Sequence, residues 1–121
     1  MSFPVDNVLS SDPERFLRSY HILAAGPHLG VGRPTIGWLD AAFQAMAAFR
    51  SDSVLQHISL PVLTVAGSSD RVTETRAAIS MTERLAHGQA IVLDRCRHDV
   101  LMERDSVRDR FWAAFDGFVG G

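Results

Sequence analysis

The chain has a single cysteine, Cys96, which excludes an internal disulfide. One thiol fits a reducing compartment, so a cytoplasmic protein is expected. Lysine is absent. All 12 basic residues are Arg, set against 14 acidic ones for a formal net charge of -2. The arginines are scattered, not massed on one segment, which argues against a nucleic-acid surface. No apolar run approaches the roughly 20 residues of a membrane helix, so no transmembrane segment is expected. The start, Met1-Ser2-Phe3-Pro4, lacks the basic and apolar regions of a signal peptide. Gly and Pro number only 9 and 5, and the apolar fraction is 46%, which together exclude collagen-like, low-complexity and disordered classes. No internal repeat is present.

What remains is 121 residues with a mixed surface and a modest core. Residues 1–10 read as an irregular lead-in. Ser11-Asp12-Pro13-Glu14 is a helix start: a capping side chain, an early Pro, then an acid in the first turn. Phe16, Tyr20, Leu23 and Ala24 follow at helical spacing, until Gly26-Pro27 ends the run. A turn-rich stretch leads to a second helix, expected over residues 38–50, with Leu39, Phe43, Met46 and Ala47 on one face. Ser51-Asp52-Ser53 reads as a break.

The rhythm then changes. Leu60 to Ala66 is a short apolar run bounded by Gly67-Ser68-Ser69-Asp70, the pattern of a buried strand. A helix is expected over residues 72–86, with Ala77, Ala78, Met81 and Leu85 inward and His87-Gly88 as its stop. Ala90-Ile91-Val92-Leu93 is a second buried strand. A loop from Asp94 to Met102 leads to a last helix carrying Val107, Phe111, Ala114, Phe115 and Phe118 at helical spacing. Apolar strands separated by a helix imply parallel pairing, so the class is α/β. The composition divides the chain into a helical segment, 1–52, and an α/β part, 53–121.

Parallel strands of one unit end at the same edge of a sheet, where catalytic groups of open α/β sheets gather. Asp70 follows the first strand and His98 the second, so both loops project from that edge. A carboxylate on one imidazole nitrogen fixes the tautomer of the ring and stabilises its protonated form. Acid followed by His is the order of the last two members of an α/β-hydrolase triad. A plainer reading of Asp70 is a turn carboxylate that caps the following helix, and both roles can coexist.

Pro61-Val62-Leu63-Thr64-Val65-Ala66-Gly67-Ser68-Ser69-Asp70-Arg71-Val72 resembles the strand and acid loop of the monoacylglycerol lipase and lysophospholipase group of α/β-hydrolases, which are serine aminopeptidase S33-like. Arg97-His98-Asp99-Val100-Leu101-Met102-Glu103-Arg104-Asp105 is similar to the histidine loop of bacterial lysophospholipases. Asp12-Pro13-Glu14-Arg15-Phe16 and Gly37-Trp38-Leu39 resemble their helical cap. The resemblance implies a partial α/β-hydrolase fold: the last two parallel strands with flanking helices, preceded by a cap or lid at 1–52. It implies Asp70 and His98 as catalytic residues, no cofactor, and a carboxylic ester of a monoacyl lipid as the substrate of a full-length form. Gly-x-Ser-x-Gly, the nucleophile elbow of that family, is absent, and the elbow and oxyanion loop are expected upstream of Met1. A triad without its nucleophile loses on the order of 10⁶ in turnover, so the chain alone is expected to be inactive.

Rival readings follow from other residues. A non-catalytic module derived from a hydrolase would associate with itself through an open sheet edge, or lie peripheral to a membrane. Cys96 beside His98 could be a nucleophile, but alternate positions on an extended loop point apart, which favours a packing role. Cys96, His98 and Asp99 form no convincing metal set. Asp94 and Asp99 are rival acids placed for turn and surface roles. His21, His28, His57 and His87 fit structural or surface positions. Trp38, Phe43 and Met46 would line an acyl pocket in a full-length relative, or simply pack as core.

Overall fold

A computed structural model describes residues 6–121. The lead-in expected over residues 1–10 therefore falls partly outside the described residues, and residues 6–10 carry no helix or strand. Helix α1, Pro13–Ala25, begins where the capping pattern placed it: Asp12 accepts a hydrogen bond from the Arg15 amide at 3.0 Å. Phe16 is its one buried residue, with the Tyr20 ring tilted against it at 5.1 Å.

Helix α2, Ile36–Ala48, starts two residues before its expected position because Thr35 supplies a cap to the Trp38 amide. Its expected packing face is not covered. Trp38 is 61% exposed, Phe43 64% and Met46 52%, and no residue of the helix is buried. Apolar spacing tells which side chains share a face, not whether another element lies against it.

The expected break at residues 51–53 is a short helix, α3, Asp52–Leu55. It is held by Leu55, which is fully buried, and by Arg84, which binds Asp52 at 2.6 Å and the Arg50 carbonyl at 2.7 Å.

Strands β1, Val62–Gly67, and β2, Gly88–Leu93, pair in parallel with Val62 opposite Gly88 and Gly67 opposite Leu93. The two strands therefore end in register. Helix α4, Thr75–Glu83, connects them and packs on both. It starts later than residue 72 because Asp70 folds residues 71–73 into a turn, and Glu74 then caps the helix. Ala78 and Met81 are partly buried and Leu85 is buried, whereas Ala77 faces solvent. Thr82 is buried instead, its hydroxyl donating to the Ala78 carbonyl and bonded at 2.6 Å to the Thr64 hydroxyl.

Helix α5, Asp105–Val119, closes the chain over the sheet. The core is Leu93, Cys96 and Val107, with Val65, Ile91, Val100 and Phe111 packed around them. Leu93 ends β2 and Cys96 stands in the loop that follows it, so the loop at that edge is anchored in this core.

Candidate functional site

The two loops at the strand ends are fastened to each other. The Ser69 amide donates to the Cys96 carbonyl at 2.9 Å, and the Ser68 hydroxyl accepts from the Arg95 amide at 2.8 Å. Gly67 makes the approach possible: a Cβ there would stand 2.4 Å from the Cys96 carbonyl oxygen. Arg95 adopts a left-handed backbone, with φ of 52°, at a cost of about 1 kcal/mol. That reversal turns Cys96 into the core and leaves His98 at the edge.

Asp70 and His98 meet there. His98 Nδ1 lies 3.0 Å from Asp70 Oδ2. An ionised carboxylate can only accept, so Nδ1 carries the proton and Nε2 presents its lone pair. Among the described residues nothing hydrogen-bonds Nε2. The carboxylate is 8% exposed and the imidazole 32%, so the acid is enclosed while the base stays accessible.

Burial by itself would raise the Asp70 carboxyl. The Thr73 hydroxyl, His98, and the amides of Val72 and Thr73 outweigh that and hold it well below the usual carboxylate range. Asp70 thus does not cap α4, whose cap is Glu74, but it holds the turn at residues 71–73 and bonds the ring of His98. With one oxygen on the two amides and the other on Thr73 Oγ1 and His98, its direction is fixed.

The other candidates separate from this pair. Cys96 is fully buried in the core, and burial, reinforced by the charge of Glu103, pushes its thiol up to about 11. A neutral thiol facing inward is a packing group. Asp94 is exposed and binds Arg95 at 3.1 Å. Asp99 lines a cavity of about 250 Å³ with Leu9, Phe16, Tyr20 and Met102, to which neither Asp70 nor His98 contributes. The described residues hold no group of three or more His, Cys, Asp and Glu side chains placed to bind a metal. His57 Nδ1 meets its own helix at the Ser53 carbonyl. Trp38, Phe43 and Met46 stand on exposed α2, away from the pair. No helix among the described residues is long and apolar enough to cross a membrane.

Two residues that sequence reasoning passed over sit against the histidine loop. Glu103 is fully buried and accepts from the amides of Arg97 and Ser11 at 2.9 and 3.1 Å, and from the Ser11 hydroxyl. The Arg97 guanidinium donates to the carbonyls of Asn7 and Ser10 at 2.6 and 3.0 Å. The hint in the sequence was that both Arg97 and Glu103 stand in the histidine-loop motif.

The model of a family described as serine aminopeptidase, S33, matches residues 4–105. The probable lysophospholipase L2 of Haemophilus influenzae is 24% identical over 93 residues, which cover 77% of this chain and 29% of that protein. The chain thus spans under a third of the length of this curated relative.

Proposed function

The chain belongs to the Hydrolase_4 family of serine aminopeptidase S33 type, an α/β-hydrolase family, and from that premise we propose that Asp70 and His98 are the acid and base of a serine-hydrolase triad. The observation that carries this reading is the 3.0 Å contact between His98 Nδ1 and an enclosed Asp70 carboxylate, with no described residue hydrogen-bonded to Nε2. Residues 1–52 are read as a cap or lid and residues 53–121 as part of the hydrolase core.

The chemistry follows from the tautomer. Nε2 takes the proton of a serine hydroxyl as the oxygen attacks an ester carbonyl carbon. Asp70 stabilises the resulting imidazolium without taking its proton. His98 then returns the proton to the departing alkoxide, leaving an acyl-enzyme that water cleaves by the same two steps. The name of the Haemophilus relative points to a monoacyl lipid ester as substrate. The 121 residues contain no Gly-x-Ser-x-Gly elbow to supply that serine, so alone they hydrolyse esters at background rate.

Two measurements test this. Turnover of a monoacylglycerol by the chain should equal that of His98→Ala, and turnover above that level would refute the inactive reading. In a longer form carrying Gly-x-Ser-x-Gly, His98→Ala should lower kcat on the order of 10⁶-fold and Asp70→Asn about 10⁴-fold. Unchanged rates there would remove both residues from the mechanism.

A second reading rests on the exposed apolar side chains of α2 and on a two-stranded sheet whose outer edges are both open. On it, the chain is a non-catalytic module that pairs with a second copy. Sedimentation as a monomer at high concentration would end that reading.

A further inference from the structure

We infer that Arg97 and Glu103 are positioning residues for His98, clipping residues 7–11 onto the histidine loop so that the imidazole stays on Asp70. This rests on the proposed pairing of Asp70 with His98 and adds what holds the pair in place.

His98 lies in a segment without helix or strand, from Asp94 to Asp99. An untethered loop of that length would sample many backbone states, at about 1–2 kcal/mol per residue to freeze. Both neighbours of His98 are instead tied to residues 7–11. On one side, the Arg97 amide binds Glu103 and its guanidinium binds the Asn7 and Ser10 carbonyls. On the other, the Asp99 amide donates to the Leu9 carbonyl at 2.8 Å. The Ser10 hydroxyl reaches the Met102 carbonyl at 2.5 Å, and Arg15 binds the Glu103 carbonyl at 2.9 Å.

Glu103 is the centre of this clip. Its carboxylate is fully buried, and the described residues place no cation in a salt bridge with it. Hydrogen-bond donors from two distant segments satisfy it: Ser11 from one, Arg97 from the other. A buried carboxylate is an expensive way to gain stability. What it supplies is geometry, because each oxygen has fixed directions in which donors must stand. Gln can serve most of the same donors: its oxygen takes the two amides, while its NH₂ donates to a reoriented Ser11 hydroxyl. Ala can serve none.

The test is NMR on the full chain, following solvent exchange of the His98 Nδ1 proton well below the melting temperature. Asp70→Asn sets the reference for a lost pair. Glu103→Gln should exchange like the wild type. Glu103→Ala and Arg97→Met should exchange about tenfold faster while remaining folded, as loss of such an anchor implies. A purely structural role would lower the melting temperature without changing this proton in the folded state. Should Glu103→Ala not fold, Arg97→Met carries the test, because its half-exposed side chain is cheaper to remove. Wild-type exchange in folded Arg97→Met, with exchange accelerated in Asp70→Asn, overturns the inference. Wild-type exchange in Asp70→Asn itself overturns the pairing instead, so the two failures are distinguishable.

Discussion

Replacing Gly67 by Ala would set a Cβ 2.4 Å from the Cys96 carbonyl oxygen and 2.6 Å from that of Arg97. Ordinary contact begins near 3.4 Å, so the histidine loop must retreat by about 1 Å. Both obstructing atoms are backbone, and Cys96 is locked in the core, so the loop has no flexible end that can yield. Such overpacking costs about 1–3 kcal/mol. The retreat also stretches the bond from the Ser69 amide to Cys96, at 2.9 Å, and the one from His98 to Asp70, at 3.0 Å. Each contributes about 1 kcal/mol. The sum is about 3–5 kcal/mol, or a fall of about 2 M in the urea midpoint at a slope of about 2 kcal/mol/M. The assay is urea unfolding followed by circular dichroism, with the His98 Nδ1 proton resonance recorded on the folded variant. The midpoint should fall and the resonance should broaden or vanish. A midpoint within the equivalent of about 0.5 kcal/mol of wild type, with the resonance intact, would refute the close-approach argument.

Gly117 supplies the contrast: it lies inside α5, and a Cβ added there would meet nothing within 4 Å, so Gly117→Ala should raise stability by about 0.5–1 kcal/mol in the same urea assay. Acid should destabilise the fold through Asp70. Its folded carboxyl lies below the ordinary 3.8, so the unfolded chain takes up the proton first as pH falls. The stabilisation is complete above about pH 5 and drains away below about pH 4. Urea midpoints from pH 6 to 3 should show this fall, and Asp70→Asn should flatten it; an equal slope in the variant would refute it. Cys96, buried and with its thiol pushed up to about 11, should react with a disulfide reagent only as the chain opens. Fast modification of the folded protein would contradict that burial.

Local signals in the sequence were enough for the elements near the site. Two apolar runs bounded by turn residues read as parallel strands, but the second is not the buried strand expected: Val92 is 47% exposed, and Leu93 is the one buried residue of β2. Asp12 capping α1, and Asp70 and His98 at the strand ends, were legible because caps and strand ends are properties of neighbouring residues. The register that sets Gly67 opposite Leu93 then carries both loops to one edge. Tertiary structure alone decided the rest. Periodicity marked an apolar face on α2 but not that it would stay uncovered, since cover comes from another part of the chain. The late start of α4 at Thr75 is by contrast a local effect that helical periodicity from residue 72 did not register, because Asp70 bonds the amides two and three residues ahead of it. The clip of Glu103 and Arg97 onto residues 7–11 joins segments some 90 residues apart, and no local period encodes such a pairing. Sequence places the chemistry-bearing groups because strands end where their apolar runs end; only the folded chain sets the donors around a buried carboxylate, because those donors come from wherever the chain returns.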